Sequence, residues 1–194
     1  MAKKGFTIIE LVVSTTIVVM LTALFIANYH SNNKRTDLIM ASQNLVADLH
    51  LAQSNTLGLV KYGGSGGVVP TEGWAINFDK TNNYYTLFAN LSSPGTYDPE
   101  TEGIVNYGAR VMTLPPGIII SDLTILRTLP DLSTAEVSID KANVTFLPPD
   151  PRTSIYDGDT GEQSGSLMIQ LKEISNNSIK TVRVNFLGLA EVIN

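Results

Sequence analysis

Lys3-Lys4-Gly5-Phe6-Thr7-Ile8-Ile9-Glu10-Leu11-Val12-Val13, running on almost wholly apolar to Ala27, decides how this chain is built. From Ile8 to Ala27 only Glu10, Ser14, Thr15, Thr16 and Thr22 break the apolar run. Twenty helical residues reach roughly 30 Å, the hydrocarbon thickness of a bilayer. The hydroxyls are tolerated there because they can bond back to helix carbonyls. The leader lysines Lys3 and Lys4 stay on the cytoplasmic side by the positive-inside rule, which puts the rest of the chain outside. Glu10 does not fit so easily. A carboxylate inside a span costs about 2–3 kcal/mol or more unless it finds a partner, and is by default a functional residue. The plainer reading is a hydrated carboxylate near the interface.

Two ordinary explanations compete for this segment. A secretory signal peptide carries its apolar core before a small-x-small cleavage site. Here the core runs into Ala23-Leu24-Phe25-Ile26-Ala27-Asn28-Tyr29, with no clean site of that kind. Glu10 would also fall within that core. A permanent, uncut signal anchor leaves Glu10 without a partner.

The string Gly5-Phe6-Thr7-Ile8-Ile9-Glu10 behind a short basic leader resembles the processing site of type IV pilins and type II secretion pseudopilins. The resemblance covers about the first 25 residues. It implies that residues 1–5 are a leader peptide and that a prepilin peptidase/N-methyltransferase cuts between Gly5 and Phe6 and methylates Phe6. It implies further that Glu10 of one subunit pairs with the freed Phe6 amine of a neighbour, setting register in a helical filament. Residues 6–27 would then be the transmembrane and filament-core helix.

Beyond Ala27 comes a polar stretch, and then Leu38, Ala41, Leu45, Leu49 and Ala52 recur at helical spacing on one face, widened by Ile39 and Val46. No proline occurs before Pro70. The pattern predicts one long helix from about Thr7 to Leu57, stopped by Gly58 and the Gly63–Gly67 run. Residues 28–58 are its amphipathic continuation into a globular domain, and residues 59–194 are a β-rich soluble domain. The helix string Ala41–Ser54, followed by Gly73-Trp74-Ala75-Ile76-Asn77-Phe78-Asp79 and by a late strand ending at Gly188, is similar to the GspH/FimT-type minor pseudopilins. Gln53 stands where that group commonly has arginine.

Strands are expected at Trp74–Asp79 and Tyr84–Asn90, hairpinned through Lys80–Asn83, then at Ile104–Leu114, Ile118–Leu126, Glu136–Asp140 and Val144–Leu147. A second hairpin joins Ser166–Ile174 to Ile179–Leu187. Leu167, Ile169 and Leu171 share one face of it, and Val182, Val184 and Phe186 share one face of its partner. The expected fold is α+β and pilin-like: one long N-terminal helix packed on an antiparallel sheet. Tyr62–Pro70 and Asp150–Gly165 read as long loops.

Composition narrows the function. The chain of 194 residues has no cysteine and a net charge of −5, which becomes −7 when the leader lysines go. An acidic body with Lys34-Arg35 as its one adjacent basic pair after the leader argues against nucleic acid as a partner. No catalytic motif occurs: Gly63–Gly67 lacks the Gly-Lys-Ser/Thr ending of a phosphate loop, and there is no G-x-S-x-G or H-E-x-x-H. The expectation is a protein without enzymatic activity or cofactor. His30 and His50 are not at metal-ligand spacing. Asp157, Asp159 and Glu162 are the one candidate Ca²⁺ set, against the plainer reading of a solvated acidic turn. Asn90, Asn143 and Asn176 head N-x-S/T triplets, to which no role is given.

These readings converge on a structural minor pilin or pseudopilin. It would be single-pass in the inner membrane, with its N-terminus cytoplasmic and its soluble domain outside, and would enter a pilus or pseudopilus. Its expected partners are other pilin or pseudopilin subunits, the prepilin peptidase and membrane lipid. The alternative is a DNA-uptake or adhesive minor pilin that binds a ligand through the soluble domain.

Overall fold

The fold is a computed structural model that describes residue 5 and residues 7–63, 67–91, 95–102, 109–128, 133–148 and 152–193, with backbone alone at 27–33. The chain divides into two compact units, Met1–Asp37 and Leu38–Asn194. Helix α1 (Ile8–Leu57) contributes to both.

In the first unit α1 opens on a capping box. Glu10 N–H donates to Thr7 Oγ1 at 3.3 Å, and Thr7 N–H donates to Glu10 Oε2 at 3.4 Å. The expected back-bonding is present: Ser14 Oγ donates to the Glu10 carbonyl at 2.8 Å, and Thr16 and Thr22 do the same to Val12 and Val18. Each hydroxyl is thus satisfied within the helix, as a bilayer requires. Along Ile8–Ile26 every side chain is exposed.

In the second unit the helix buries the stripe Leu38, Ala41, Leu45, Leu49 and Ala52. Its end differs from expectation. The left-handed residue is Leu59 (φ 49°), not Gly58. Val60 N–H donates to the Asn55 carbonyl and Leu59 N–H to that of Thr56, which together form a Schellman motif.

Eleven strands follow among the described residues: β1 (Trp74–Asp79), β2 (Tyr84–Ala89), β3 (Arg110–Thr113), β4 (Ile118–Thr128), β5 (Thr134–Ile139), β6 (Lys141–Leu147), β7 (Arg152–Asp157), β8 (Gln163–Ser164), β9 (Ser166–Glu173), β10 (Ile179–Asn185) and β11 (Ala190–Ile193). They form two antiparallel sheets rather than the one expected. The first runs β3-β2-β1-β6-β7-β8 and the second β11-β10-β9-β4-β5. The fold is α+β, with the helix stripe and one face of each sheet sharing a single core. Of the strand expected over Ile104–Leu114, residues 104–108 lie outside the described residues.

Three local features fix this arrangement. In β4 the register slips between Ile120 and Asp122. That bulge restores the parity of Leu123 and Ile125, so they bury with Ile118 and Ile120. At Gly73 (φ +75°) a Cβ would lie 1.9 Å from the Phe146 carbonyl oxygen, so only glycine can precede Trp74. Thr56, wholly inside, bridges helix and sheet. Its hydroxyl accepts from Trp74 N–H at 2.9 Å and donates to the Phe146 carbonyl at 3.1 Å, two residues that face each other across β1 and β6.

Two further expectations change. Asp150–Gly165 is not all loop, because Thr153, Ser154 and Ile155 are buried in β7. Phe186 does not share the inward face of Val182 and Val184: β10 ends at Asn185, and Phe186 is 61% exposed. Asn185 turns the chain there, its Oδ1 accepting from the N–H groups of Leu187 and Leu189.

Candidate functional sites

Of the residues singled out at the N-terminus, Lys3, Lys4 and Phe6 lie outside the described residues. Gly5 is exposed, with open space around its Cα. Glu10 is exposed in the first turn of α1, where the positive end of the helix dipole favours a carboxylate. Its Oε2 also takes the Thr7 hydroxyl, at 3.3 Å. It is the one charged residue on the exposed surface from Ile8 to Ile26, and its other oxygen, Oε1, makes no hydrogen bond among the described residues.

The acidic loop is organised around a cation that the protein itself supplies. Arg127 Nη2 lies 3.1 Å from Asp157 Oδ2, and its Nε faces Glu162 as a charge contact without hydrogen-bond alignment. Asp157 Oδ1 caps the turn by accepting from the N–H groups of Asp159 and Thr160. Burial alone would raise the Asp157 carboxyl; the Asp159 and Thr160 hydrogen bonds and the Arg127 charge outweigh it and hold the pKa below the ordinary value. Asp157 and Glu162 therefore converge on a guanidinium, while Asp159 contributes its backbone. Among the described residues no group of three or more His, Cys, Asp or Glu is placed to hold a metal ion.

The sequence reading did not find the outer face of the first sheet. All six residues of β1 are buried, because the side away from the core is also covered. Phe88, Ala75 and Ala109 pack there with Tyr97. Glu102, itself buried, ties the covering loop down, its two oxygens accepting from the N–H groups of Leu91 and Asp98. Next to this apolar row the register sets Asn77 opposite Thr86 and Asn143, and Asp79 opposite Tyr84 and Lys141. Asn77 Nδ2 donates to Asn143 Oδ1 at 2.7 Å, and Asn143 Nδ2 donates to the Gly95 carbonyl at 2.7 Å. Above them opens a cleft of about 140 Å³, walled by Tyr84, Tyr97 and Pro99. Burial pushes the Tyr97 phenol above its ordinary value; the Thr86 hydroxyl opposes the rise, and the Tyr84 phenol and the Glu102 and Asp98 carboxylates add to it.

Burial also bears on the N-x-S/T triplets. Asn90 and Asn143 are at most 1% exposed and cannot be reached by a modifying enzyme in the folded domain. The side chain of His30 lies outside the described ones, and His50 is exposed on the helix.

No protein-family model matches the chain, and no curated protein or solved structure matches it either.

Proposed function

We propose that this chain is a structural minor pilin or pseudopilin, cut after Gly5, methylated on Phe6 and assembled through its N-terminal helix. One observation carries the reading. Ile8–Ile26 is an apolar helix long enough to cross a membrane, with every side chain exposed and a single carboxylate, Glu10, four residues after Phe6. Such a surface needs lipid or copies of itself around it. Glu10 sets the chemistry of the second option. Before assembly its Thr7 contacts, at 3.3–3.4 Å, soften the cost of an acid in the membrane. In a filament, Oε1 is open to the positive amine that cleavage frees on a neighbouring Phe6. The Leu38–Asn194 unit would face outward and make the contacts with partner subunits.

The N-terminus and intact mass of the protein, extracted from membranes that contain a prepilin peptidase, test the processing. A chain beginning at methylated Phe6 is expected. A start near Asn28 would mean a cleaved signal peptide, and an intact Met1 a plain anchor; either would overturn the proposal. Glu10→Val is expected to insert and be cut normally yet stay out of filaments. Its normal incorporation would remove the pairing mechanism.

DNA uptake is the weaker alternative. Arg183 is paired with Glu191 and Arg127 with Asp157, so neither is free to neutralise a phosphate. A ligand-binding role for the soluble unit has a specific observation in its favour, the cleft on the first sheet.

A further inference from the structure

The cleft on the outer face of the first sheet is polar where the fold calls for apolar residues. Asparagine and aspartate are depleted in strands, yet β1 and β6, the two central strands of this sheet, place Asn77, Asn143 and Asp79 side by side at 5%, 1% and 4% exposure. The neighbouring row on the same face shows the ordinary solution, with Phe88 and Ala75 buried beneath Tyr97. Local rules broken at buried positions mark functional or strained sites.

Loop anchoring explains only part of this row. The relay from Asn77 through Asn143 to the Gly95 carbonyl uses both polar ends of Asn143 but only the Nδ2 of Asn77. Asn77 Oδ1 accepts nothing among the described residues, although the residue is 95% buried and lines the cleft. Asp79 is held rigidly from the side. Its two oxygens accept from the backbone and side-chain nitrogens of Asn82 at 2.8 and 2.9 Å, and each keeps a further lone pair. Lys141 forms no ion pair among the described residues, and neither does the Tyr84 hydroxyl make a hydrogen bond there.

We propose that this cleft binds a single hydroxyl-rich ring, a monosaccharide unit of a glycan. Asn77 Oδ1 and the Asp79 carboxylate, fixed before any ligand arrives, accept from neighbouring hydroxyls on the ring. The Lys141 ammonium donates to a hydroxyl or ring oxygen. Tyr84 and Tyr97 supply apolar ring faces with a polar tip, which suits a molecule with one C–H face and a hydroxylated rim. At about 140 Å³ the cleft is on the scale of one such ring.

Other ligand classes fit less well. A single carboxylate beside an ammonium does not make a metal site. One lysine facing an aspartate does not neutralise a phosphate, and an amide and carboxylate floor repels an apolar guest. The proposal concerns the Leu38–Asn194 unit and stands whether or not the chain assembles into filaments.

The test uses the full chain in lipid nanodiscs, free of glycoside detergents, with empty nanodiscs as the control. Saturation-transfer NMR titrates glucose, galactose, mannose and N-acetylglucosamine, with glycine and inorganic phosphate as competitors. At least one sugar is expected to saturate with a Kd of about 0.1–10 mM. Lys141→Met and Tyr84→Leu, both at partly or fully exposed positions, are expected to weaken it about tenfold or more without lowering the thermal midpoint. Three outcomes overturn the proposal: no saturation by any of the four sugars at about 50 mM, an unchanged Kd in both variants, or tighter binding of glycine or phosphate than of every sugar.

Discussion

Replacing Thr56 by valine changes one hydroxyl to a methyl at nearly constant volume, deep between helix and sheet. In the native fold that hydroxyl serves Trp74 N–H at 2.9 Å and the Phe146 carbonyl at 3.1 Å. Valine serves neither, and Thr56 is 2% exposed, so water cannot take over. Each of the two buried groups left unpaired costs about 1–3 kcal/mol, which puts Thr56→Val at about 2–6 kcal/mol. Thr56→Ser keeps both hydrogen bonds and loses one methyl, at about 1 kcal/mol. The gap between the two variants isolates the bridge from the packing. The assay is urea denaturation followed by Trp74 emission. Trp74 is the only tryptophan of the chain, and its indole N–H donates to the Val60 carbonyl at 3.0 Å, so its signal reports the joint itself. If Thr56→Val matches Thr56→Ser, or lies within about 0.5 kcal/mol of the native protein, the hydroxyl does not hold helix to sheet.

Leu59→Gly relieves a left-handed backbone at a half-exposed position and is expected to raise stability by about 1 kcal/mol, read as a shifted denaturation midpoint. Tyr85→Phe removes the 2.7 Å hydrogen bond to Asp48 that ties β2 to the helix and is expected to cost about 1.5–3 kcal/mol, the range for a bond to a charged group. Asp157 has a folded pKa below its unfolded value near 3.8, so its contribution is present above that pH and is lost as pH falls through the folded value. Thermal melts should therefore drop in acid below about pH 4, and Asp157→Asn should flatten that part of the curve. Gly73→Ala should prevent folding of the Leu38–Asn194 unit, seen as loss of the native Trp74 emission, because its Cβ would collide with the Phe146 carbonyl.

The helix was legible because its evidence is periodic. The spacing of Leu38, Ala41, Leu45, Leu49 and Ala52 names one face, and that face is the buried one. The hairpins at Lys80–Asn83 and Ser175–Ser178 were legible for a similar reason, since Asn83 and Asn177 supply the positive φ these turns need. Partnership between strands was not legible. Alternation says which side of a strand is apolar, not which strand lies beside it. Nothing in the order of the chain reveals that β6 leaves its sequence neighbour β5 to pair with β1, or that β4 joins β9 in a second sheet. The strand β7 was hidden because its buried residues include Thr153 on the core face and Ser154 on the opposite one, which read as loop until the sheet covers them.

The same blindness explains the missed cleft. Asn77 and Asn143 are 66 residues apart, and each alone is an unremarked polar residue in a strand. Only the register that sets Asn77 opposite Asn143, and Asp79 opposite Lys141, turns four scattered residues into one polar surface. The N-terminal site is the reverse case. Its residues are contiguous, so a short string shows Gly5, Phe6 and Glu10 together. What the structure adds there is local, the capping contacts of Thr7 that give the Glu10 carboxylate a hydrogen-bond partner within its own chain. Those long contacts make a specific demand on assembly: the neighbour's amine must be a better partner than Thr7. Thr7→Val removes the competing hydroxyl and should not impair filament incorporation, whereas Glu10→Val should abolish it. Equal loss in the two variants would mean that the capping box, rather than an intersubunit ion pair, is what Glu10 is kept for.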